Sequence, residues 1–261
     1  MKLVKAKKHL GQHFLTDESI ASNTVDALQM TDQYSKVIEV GPGMGVLTKY
    51  LVKREDLETY IIDIDCESIE FLLQHFNELA DSRIIEGDFL KYDLTTIFSD
   101  EKFAIVGNFP YNISSQILFK AYDNRDKVIE VVGMFQKEVA ERIAAPPGSK
   151  TYGILSVLLQ AFYTIDYLFT VEPDVFDPPP KVQSAVIRLQ RNNVTALEVD
   201  EKRFKSIVKI AFNQRRKTLR NSLKQFINEK PEVKENVIFN ERPEQLSVAQ
   251  FIEIVKLLDE N

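Results

Sequence analysis

An α/β fold is what this 261-residue sequence predicts: a mainly parallel sheet covered by helices on both faces, followed by a small all-helical domain. Three observations carry the prediction. Short buried-strand patterns alternate with helical patterns from Lys36 onward, a beat that builds parallel sheets. A glycine-rich turn joins the first of those strands to the first helix. After Arg191 the apolar spacing becomes helical throughout.

The elements follow in order. Lys36–Val40 is a strand that stops at Gly41-Pro-Gly-Met-Gly45, and Val46–Arg54 reads as the helix after it. Thr59–Asp63 is a second strand, Glu67–Leu79 a helix with apolar positions at 69, 72, 73, 76 and 79, and Arg83–Glu86 a third strand. Further strands are expected at Lys102–Gly107, Val128–Phe135 and Ser184–Leu189, with helices at Ser114–Tyr122 and Gln136–Ala144. Asn192-Asn193 reads as a linker, which puts one domain at 1–191 and a helical one at 192–261, broken at Pro231 and Pro243. The proline-rich segments Ala145–Gly148 and Asp177–Pro180 are rigid loops.

Composition narrows the class. With 44% hydrophobic and 28% charged residues the chain reads as globular, and no stretch nears the roughly 20 apolar residues of a membrane helix. No apolar segment follows the basic start, so a cytoplasmic location without a membrane partner is expected. Cys66 stands alone and shows no metal-ligand or nucleophile pattern, and no metal is expected. The net charge of −6 speaks against a polyanionic partner, but its distribution does not. Nine Lys and Arg and no acidic residue fall between Lys202 and Lys224, and Lys2, Lys5, Lys7, Lys8 and His9 form a second basic cluster.

Chemistry is expected at the carboxyl ends of the strands, where the strand order reverses. Glycines 41, 43 and 45 allow a close backbone approach and positive φ there, and Glu39 just before them suits a cationic group. Asp63 ends the second strand 22 residues after Gly41, where a carboxylate accepts both ribose hydroxyls of an adenosine cofactor. The spacing is G-x-G-x-G, with Val46 where a dinucleotide fingerprint has its third glycine. It resembles the first motif of class I methyltransferases. Asp88, in Gly87-Asp88-Phe89, offers a carboxylate to an adenine amino group; Phe89 and Ile64 complete this cofactor set.

Asn108-Phe-Pro-Tyr111 follows the fourth strand and resembles the [DNS]-P-P-[YFW] motif of enzymes that methylate exocyclic amines. An adenine N6 is a poor nucleophile because its lone pair is delocalised into the ring. The Asn108 carboxamide oxygen, with the Phe109 or Pro110 carbonyl, would accept both N6 hydrogens and free that lone pair. Tyr111 would stack on an extruded base. No general base is needed before transfer, so catalysis is mostly positioning.

Further segments extend the likeness. Lys8–Leu15, Phe135–Arg142, Pro147–Gly153, Phe176–Val182 and Ala211–Leu223 all resemble stretches of the ribosomal RNA adenine dimethyltransferase family. That resemblance implies a Rossmann-like class I methyltransferase sheet, S-adenosylmethionine as cofactor, and dimethylation of two adjacent adenines near the 3′ end of the 16S RNA of the small ribosomal subunit, by a monomer. It also implies that Gln12, His13 and Leu15 close over the cofactor, that Gly41 meets its methionine part, Asp63 its ribose and Asp88 its adenine, and that Phe176 opposes Tyr111 across the base. Lys7, Lys8, Lys150, Lys181, Arg215, Arg216, Lys217 and Arg220 are the expected RNA contacts. The chain departs from the family at His13, usually Asn; at Phe109, more often Leu; and at Ile154, where Arg is common.

Three other readings compete. The related resistance methyltransferases act on large-subunit RNA, against which Pro178–Pro180 and Phe212–Leu223 speak. A non-catalytic binding module of the same fold, as in mitochondrial transcription factors, is opposed by intact Asn108, Pro110, Tyr111, Asp63 and Asp88. A nicotinamide-dependent oxidoreductase is opposed by the glycine spacing.

Overall fold

The computed structural model describes residues 4–259, so Lys2 of the N-terminal basic cluster lies outside the described residues. Contacts divide the chain into two compact units. The first comprises residues up to Ala140 together with Thr164–Arg191, and the second Glu141–Tyr163 together with residues from Asn192 onward. Each unit is thus made of two stretches of chain, whereas the sequence suggested one stretch each, 1–191 and 192–261.

Nine strands are described: β1 (Phe14–Leu15), β2 (Lys36–Val40), β3 (Glu58–Asp63), β4 (Ile84–Glu86), β5 (Phe103–Asn108), β6 (Val128–Gln136), β7 (Tyr163–Val171), β8 (Phe176–Asp177) and β9 (Ser184–Arg191). Seven form one sheet in the order β4-β3-β2-β5-β6-β9-β7. The pairs β3–β4, β2–β3, β2–β5 and β5–β6 are parallel and β6–β9 is antiparallel. Strand order reverses between β2 and β5, which run side by side with Glu39 opposite Val106. Crevices at such reversal points are the ligand sites of open α/β sheets. β1 and β8 make a separate antiparallel ladder that sets Leu15 against Phe176.

The strands form because their residues are buried on both faces: β5 and β6 are buried at every position except their last. The helix Cys66–His75 begins at an Asp65 cap whose side chain accepts from the Glu67 amide, and Ile69 and Leu72 face the core. A fully buried Glu130 staples the Gln29–Tyr34 loop to β6. One of its oxygens accepts from the Gln29 and Met30 amides at 2.9 Å and from the Tyr34 hydroxyl at 2.7 Å, the other from Gln190 at 2.9 Å.

In the second unit the helix Glu201–Asn213 buries Phe204, Ile207, Val208 and Ala211, and the helix Val248–Asp259 buries Phe251, Ile254, Val255 and Leu258. Tyr152 meets the Phe212 ring edge-on at 6.2 Å, which accounts for the sorting of its segment with the helices. Among the described residues no helix is long and apolar enough to cross a membrane.

Candidate active site

A pocket opens in the first unit above the carboxyl ends of β2, β3, β4 and β5, where the strand order reverses. Its lining brings together Gln12, His13, Leu15, Glu39, Gly41, Gly43, Asp63, Ile64, Asp88, Phe89, Asn108, Pro110 and Tyr111, sites predicted from five separate stretches of sequence.

The glycines of the first turn do different work. Gly41 (φ 71°) and Gly43 (φ 56°) both stand in the left-handed region and line the pocket. Gly45 (φ 80°) does not line it: a Cβ there would come within 2.4 Å of the Phe76 ring and 3.0 Å of Leu72. Its expected cofactor role is therefore corrected to one of packing, since it lets the turn approach the helix Cys66–His75.

Two carboxylates form the polar floor. Glu39 is 1% exposed, accepts from the Thr48 hydroxyl at 2.6 Å, and is pushed up to about 8, first by burial and further by the nearby Asp63. Burial also raises Asp63, against the hydrogen bonds it accepts from the Asp65 amide at 2.9 Å and the Gly43 amide at 3.4 Å. No cation of the protein pairs with either group among the described residues, so the floor suits a ligand that brings hydroxyls and positive charge. Ile64, 54% exposed, adds an apolar rim beside Asp63. Asp88 accepts from the Leu90 amide at 3.0 Å.

The N-terminal segment is held over this floor. The Lys7 amide donates to the Gln12 side-chain oxygen at 2.8 Å, the Gln12 amide nitrogen donates to Asp65 at 3.0 Å, and the Lys7 ammonium sits 2.5 Å from the other Asp65 oxygen. Burial alone would raise Asp65, but donation from Lys7 and Gln12 holds its carboxyl below the usual range. Lys7, expected to touch RNA, is thus committed to Asp65 and Glu67.

Asn108 ends β5 and lines the pocket, its carboxamide nitrogen donating to the His13 carbonyl at 2.8 Å; among the described residues no donor is bonded to its carboxamide oxygen. The Pro110 carbonyl accepts from the Ile113 amide at 3.1 Å, leaving the Phe109 carbonyl as the less encumbered second acceptor. Tyr111 is fixed by its hydroxyl, 2.5 Å from that of Ser184, and its ring stacks on the His13 ring at 5.4 Å. The His13 ring donates from Nδ1 to the Pro178 carbonyl at 2.7 Å, so it stands beside Tyr111.

The sequence suggests no role for Phe109 beyond its carbonyl. Its side chain is 1% exposed and meets the Phe135 ring edge-on at 5.2 Å. Gly107 and Gly133 make the socket: a Cβ would come within 2.8 Å of that ring at Gly107 and 2.1 Å at Gly133. A glycine between Val132 and Met134 in the interior of β6 was the available signal. The expected placement of Phe176 is corrected: it is 3% exposed, packed in the core opposite Leu15, and does not line the pocket.

The basic candidates separate as well. Lys8, Lys150, Lys181, Arg216 and Lys217 are exposed. Arg215 donates to the Lys150 carbonyl and pairs with Glu244 at 3.9 Å, and Arg220 donates to the Lys234 carbonyl and to Asn240 at 3.1 Å.

A family model described as ribosomal RNA adenine dimethylase matches residues 3–260. The chain belongs to that family. A ribosomal RNA small subunit methyltransferase A from Cytophaga hutchinsonii is 59% identical over 99% of this chain and 99% of its own length. The protein of that name from Flavobacterium johnsoniae is 55% identical over 99% and 98%. Among solved structures, a dimethyladenosine transferase from Plasmodium falciparum shares the fold with a TM-score of 0.74 at 24% identity, covering 93% of this chain and 96% of its own. The 23S rRNA methyltransferase ErmE has a TM-score of 0.63 at 25% identity, covering 93% and 99%. As a ribosomal RNA adenine dimethylase, the chain is an S-adenosylmethionine-dependent methyltransferase with a Rossmann-like sheet. Its pocket fits that cofactor: left-handed glycines 41 and 43, two buried carboxylates without a cation, and an exposed apolar side chain at the rim.

Proposed function

We propose that this chain dimethylates N6 of two adjacent adenines near the 3′ end of 16S RNA during assembly of the small ribosomal subunit, acting as a cytoplasmic monomer. What supports the reading most is the Asn108 carboxamide: its nitrogen donates to the His13 carbonyl, so its oxygen is the group it would have to offer a substrate amine.

S-adenosylmethionine, when bound, supplies the methyl as a sulfonium. Glu39 would lie toward its cationic part, Asp63 would accept from its ribose hydroxyls, Asp88 and Phe89 would hold its adenine, and Gly41 and Gly43 would let the backbone approach. Gln12 and His13 keep the segment above them closed, through Asp65 and Asn108 respectively. On the target side, Tyr111 would stack on the extruded adenine, at the cost of its stacking with His13. The Asn108 oxygen and the Phe109 carbonyl would each accept one N6 hydrogen, drawing the nitrogen lone pair out of conjugation. After the first transfer one hydrogen remains, and either acceptor can hold it for the second. The proton released each time passes to water. Lys8, Lys150, Lys181, Arg216 and Lys217 would meet RNA phosphates; Arg215 and Arg220 would mainly hold their own loops.

Asn108→Ala tests the reading. Loss of one preorganised polar contact is worth on the order of 3 kcal/mol, about a hundredfold in rate. Turnover at saturating cofactor should fall by that order, with cofactor affinity close to wild type. Near-normal turnover would remove Asn108 from the mechanism.

A further inference from the structure

Lys120 lies on the helix Ser114–Asp123, half-buried and well outside the motifs of the site. Its ammonium donates to three backbone carbonyls of one loop, Phe89 at 2.5 Å, Leu90 at 3.3 Å and Tyr92 at 2.5 Å. A lysine ammonium has three N–H donors, so this loop consumes its whole capacity. The nitrogen also stands 5.0 Å from the centre of the Phe89 ring. No carboxylate lies within ion-pair distance of it among the described residues; Asp88 and Asp93 act on it only at longer range, and burial lowers its pKa.

The same loop presents Asp88 and Phe89 to the pocket. Its other ties are local: the Asp88 carboxylate accepts from the Leu90 amide at 3.0 Å, and its carbonyl accepts from the Lys91 and Tyr92 amides at 3.0 and 2.9 Å. These bonds shape the turn without anchoring it to the sheet. The Gly87 amide, donating to the Asp63 carbonyl at 2.8 Å, secures only its first residue. Beyond that point the Phe89 side chain is buried, at 4% exposure, and Lys120 ties the backbone of the loop to the helix that follows the Asn108–Tyr111 segment.

We infer that Lys120 is a positioning residue for cofactor recognition, a cation around which the Phe89–Tyr92 backbone is folded so that Asp88 and Phe89 meet the adenine end of the cofactor. This rests on the assignment of Asp88 and Phe89 to that end. A neutral side chain at 120 would leave three converging carbonyls facing one another and let the loop swing. Arginine would keep the charge, but a planar guanidinium cannot bring three donors to carbonyls that converge on one point.

The test uses the full-length protein as Lys120→Met, Lys120→Arg and Asp88→Ala. Calorimetry measures S-adenosylhomocysteine affinity, and steady-state assays on under-methylated small subunits give kcat and the KM for S-adenosylmethionine. Lys120→Met should weaken S-adenosylhomocysteine about tenfold, the loss of roughly one hydrogen bond to a charged group, and raise the cofactor KM by a like factor. Lys120→Arg should fall between it and wild type, and kcat at saturating cofactor should stay within about twofold in both. A purely structural lysine would lower the melting midpoint and leave the KM of the folded protein unchanged. If Lys120→Met does not fold, Lys120→Arg carries the comparison. Wild-type affinity and KM in the Lys120 variants, beside weakened binding in Asp88→Ala, would overturn this inference and spare the site assignment. Unchanged binding in Asp88→Ala as well would overturn both.

Discussion

At the scale of single residues, the pocket holds its chemistry in groups whose surroundings have been chosen against their ordinary behaviour. Glu39 is a carboxyl raised to about 8 in a folded protein, above its ordinary 4.5. The folded state therefore binds its proton more tightly than the unfolded chain does. The associated stability is complete below pH 4.5 and is lost as pH rises through about 8. Glu39→Gln should flatten that part of the stability profile, gaining on wild type between those limits in denaturant titrations at a series of pH values. A cationic ligand favours the ionised carboxyl, so cofactor binding near pH 7 should release a proton in wild type and none through this group in Glu39→Gln. Calorimetry in two buffers of different ionisation enthalpy reads the difference, and equal proton release would contradict a cationic neighbour for Glu39. Glu39, Asp63 and Asn108 were legible because strand-end position and residue type suffice to place them. Phe176 and Gly45 were not: a proline-flanked aromatic and a turn glycine read alike whether they face a ligand or a neighbouring helix, and only burial separates them.

At the scale of elements, the strand-turn-helix alternation was readable wherever a strand is buried on both faces, because an uninterrupted apolar run leaves little choice. β7 was missed because it is an edge strand with half-exposed positions along most of its length, so no run or clean alternation marks it. The β1–β8 ladder joins two-residue segments far apart in sequence, which no local pattern reveals. The Phe109 socket is the element-scale feature with the sharpest consequence. Gly133→Ala would drive a methyl into a fully buried ring 2.1 Å away, an overpacking of the kind that costs about 1–3 kcal/mol. It should lower stability by that amount in chemical denaturation and lower methyl transfer in the folded fraction, since displacing Phe109 moves the carbonyl and the neighbouring Asn108. Gly133→Ala combined with Phe109→Leu, which shrinks the ring, should recover part of both losses. Stability and activity equal to wild type in Gly133→Ala would show that the ring is not seated by Gly107 and Gly133.

At the scale of the whole molecule, a net charge of −6 and a proposed RNA substrate are reconciled by where the cations are placed. Lys7, Arg215 and Arg220 are tied to groups of the protein itself, whereas Lys8, Lys150, Lys181, Arg216 and Lys217 are exposed. Counting Lys and Arg along the sequence could not make that distinction, since partners such as Glu244 and the Lys234 carbonyl arrive only with folding. Arg216→Ala with Lys217→Ala should reduce the slope of log affinity against log salt for small-subunit binding by somewhat under two, with cofactor affinity intact. Arg220→Ala should instead cost on the order of 1 kcal/mol of stability, with little change in slope. An unchanged slope in the double variant would assign Arg216 and Lys217 to a solvated face. What receives the methyl groups decides the function. Small and large ribosomal subunits from a strain lacking the modification, each incubated with the protein and radiolabelled S-adenosylmethionine, put it to a direct test when the labelled nucleosides are identified and mapped. The expected product is N6,N6-dimethyladenosine at two adjacent adenines near the 3′ end of the small-subunit RNA. Label in the large subunit, at another base atom, or in neither subunit would contradict it.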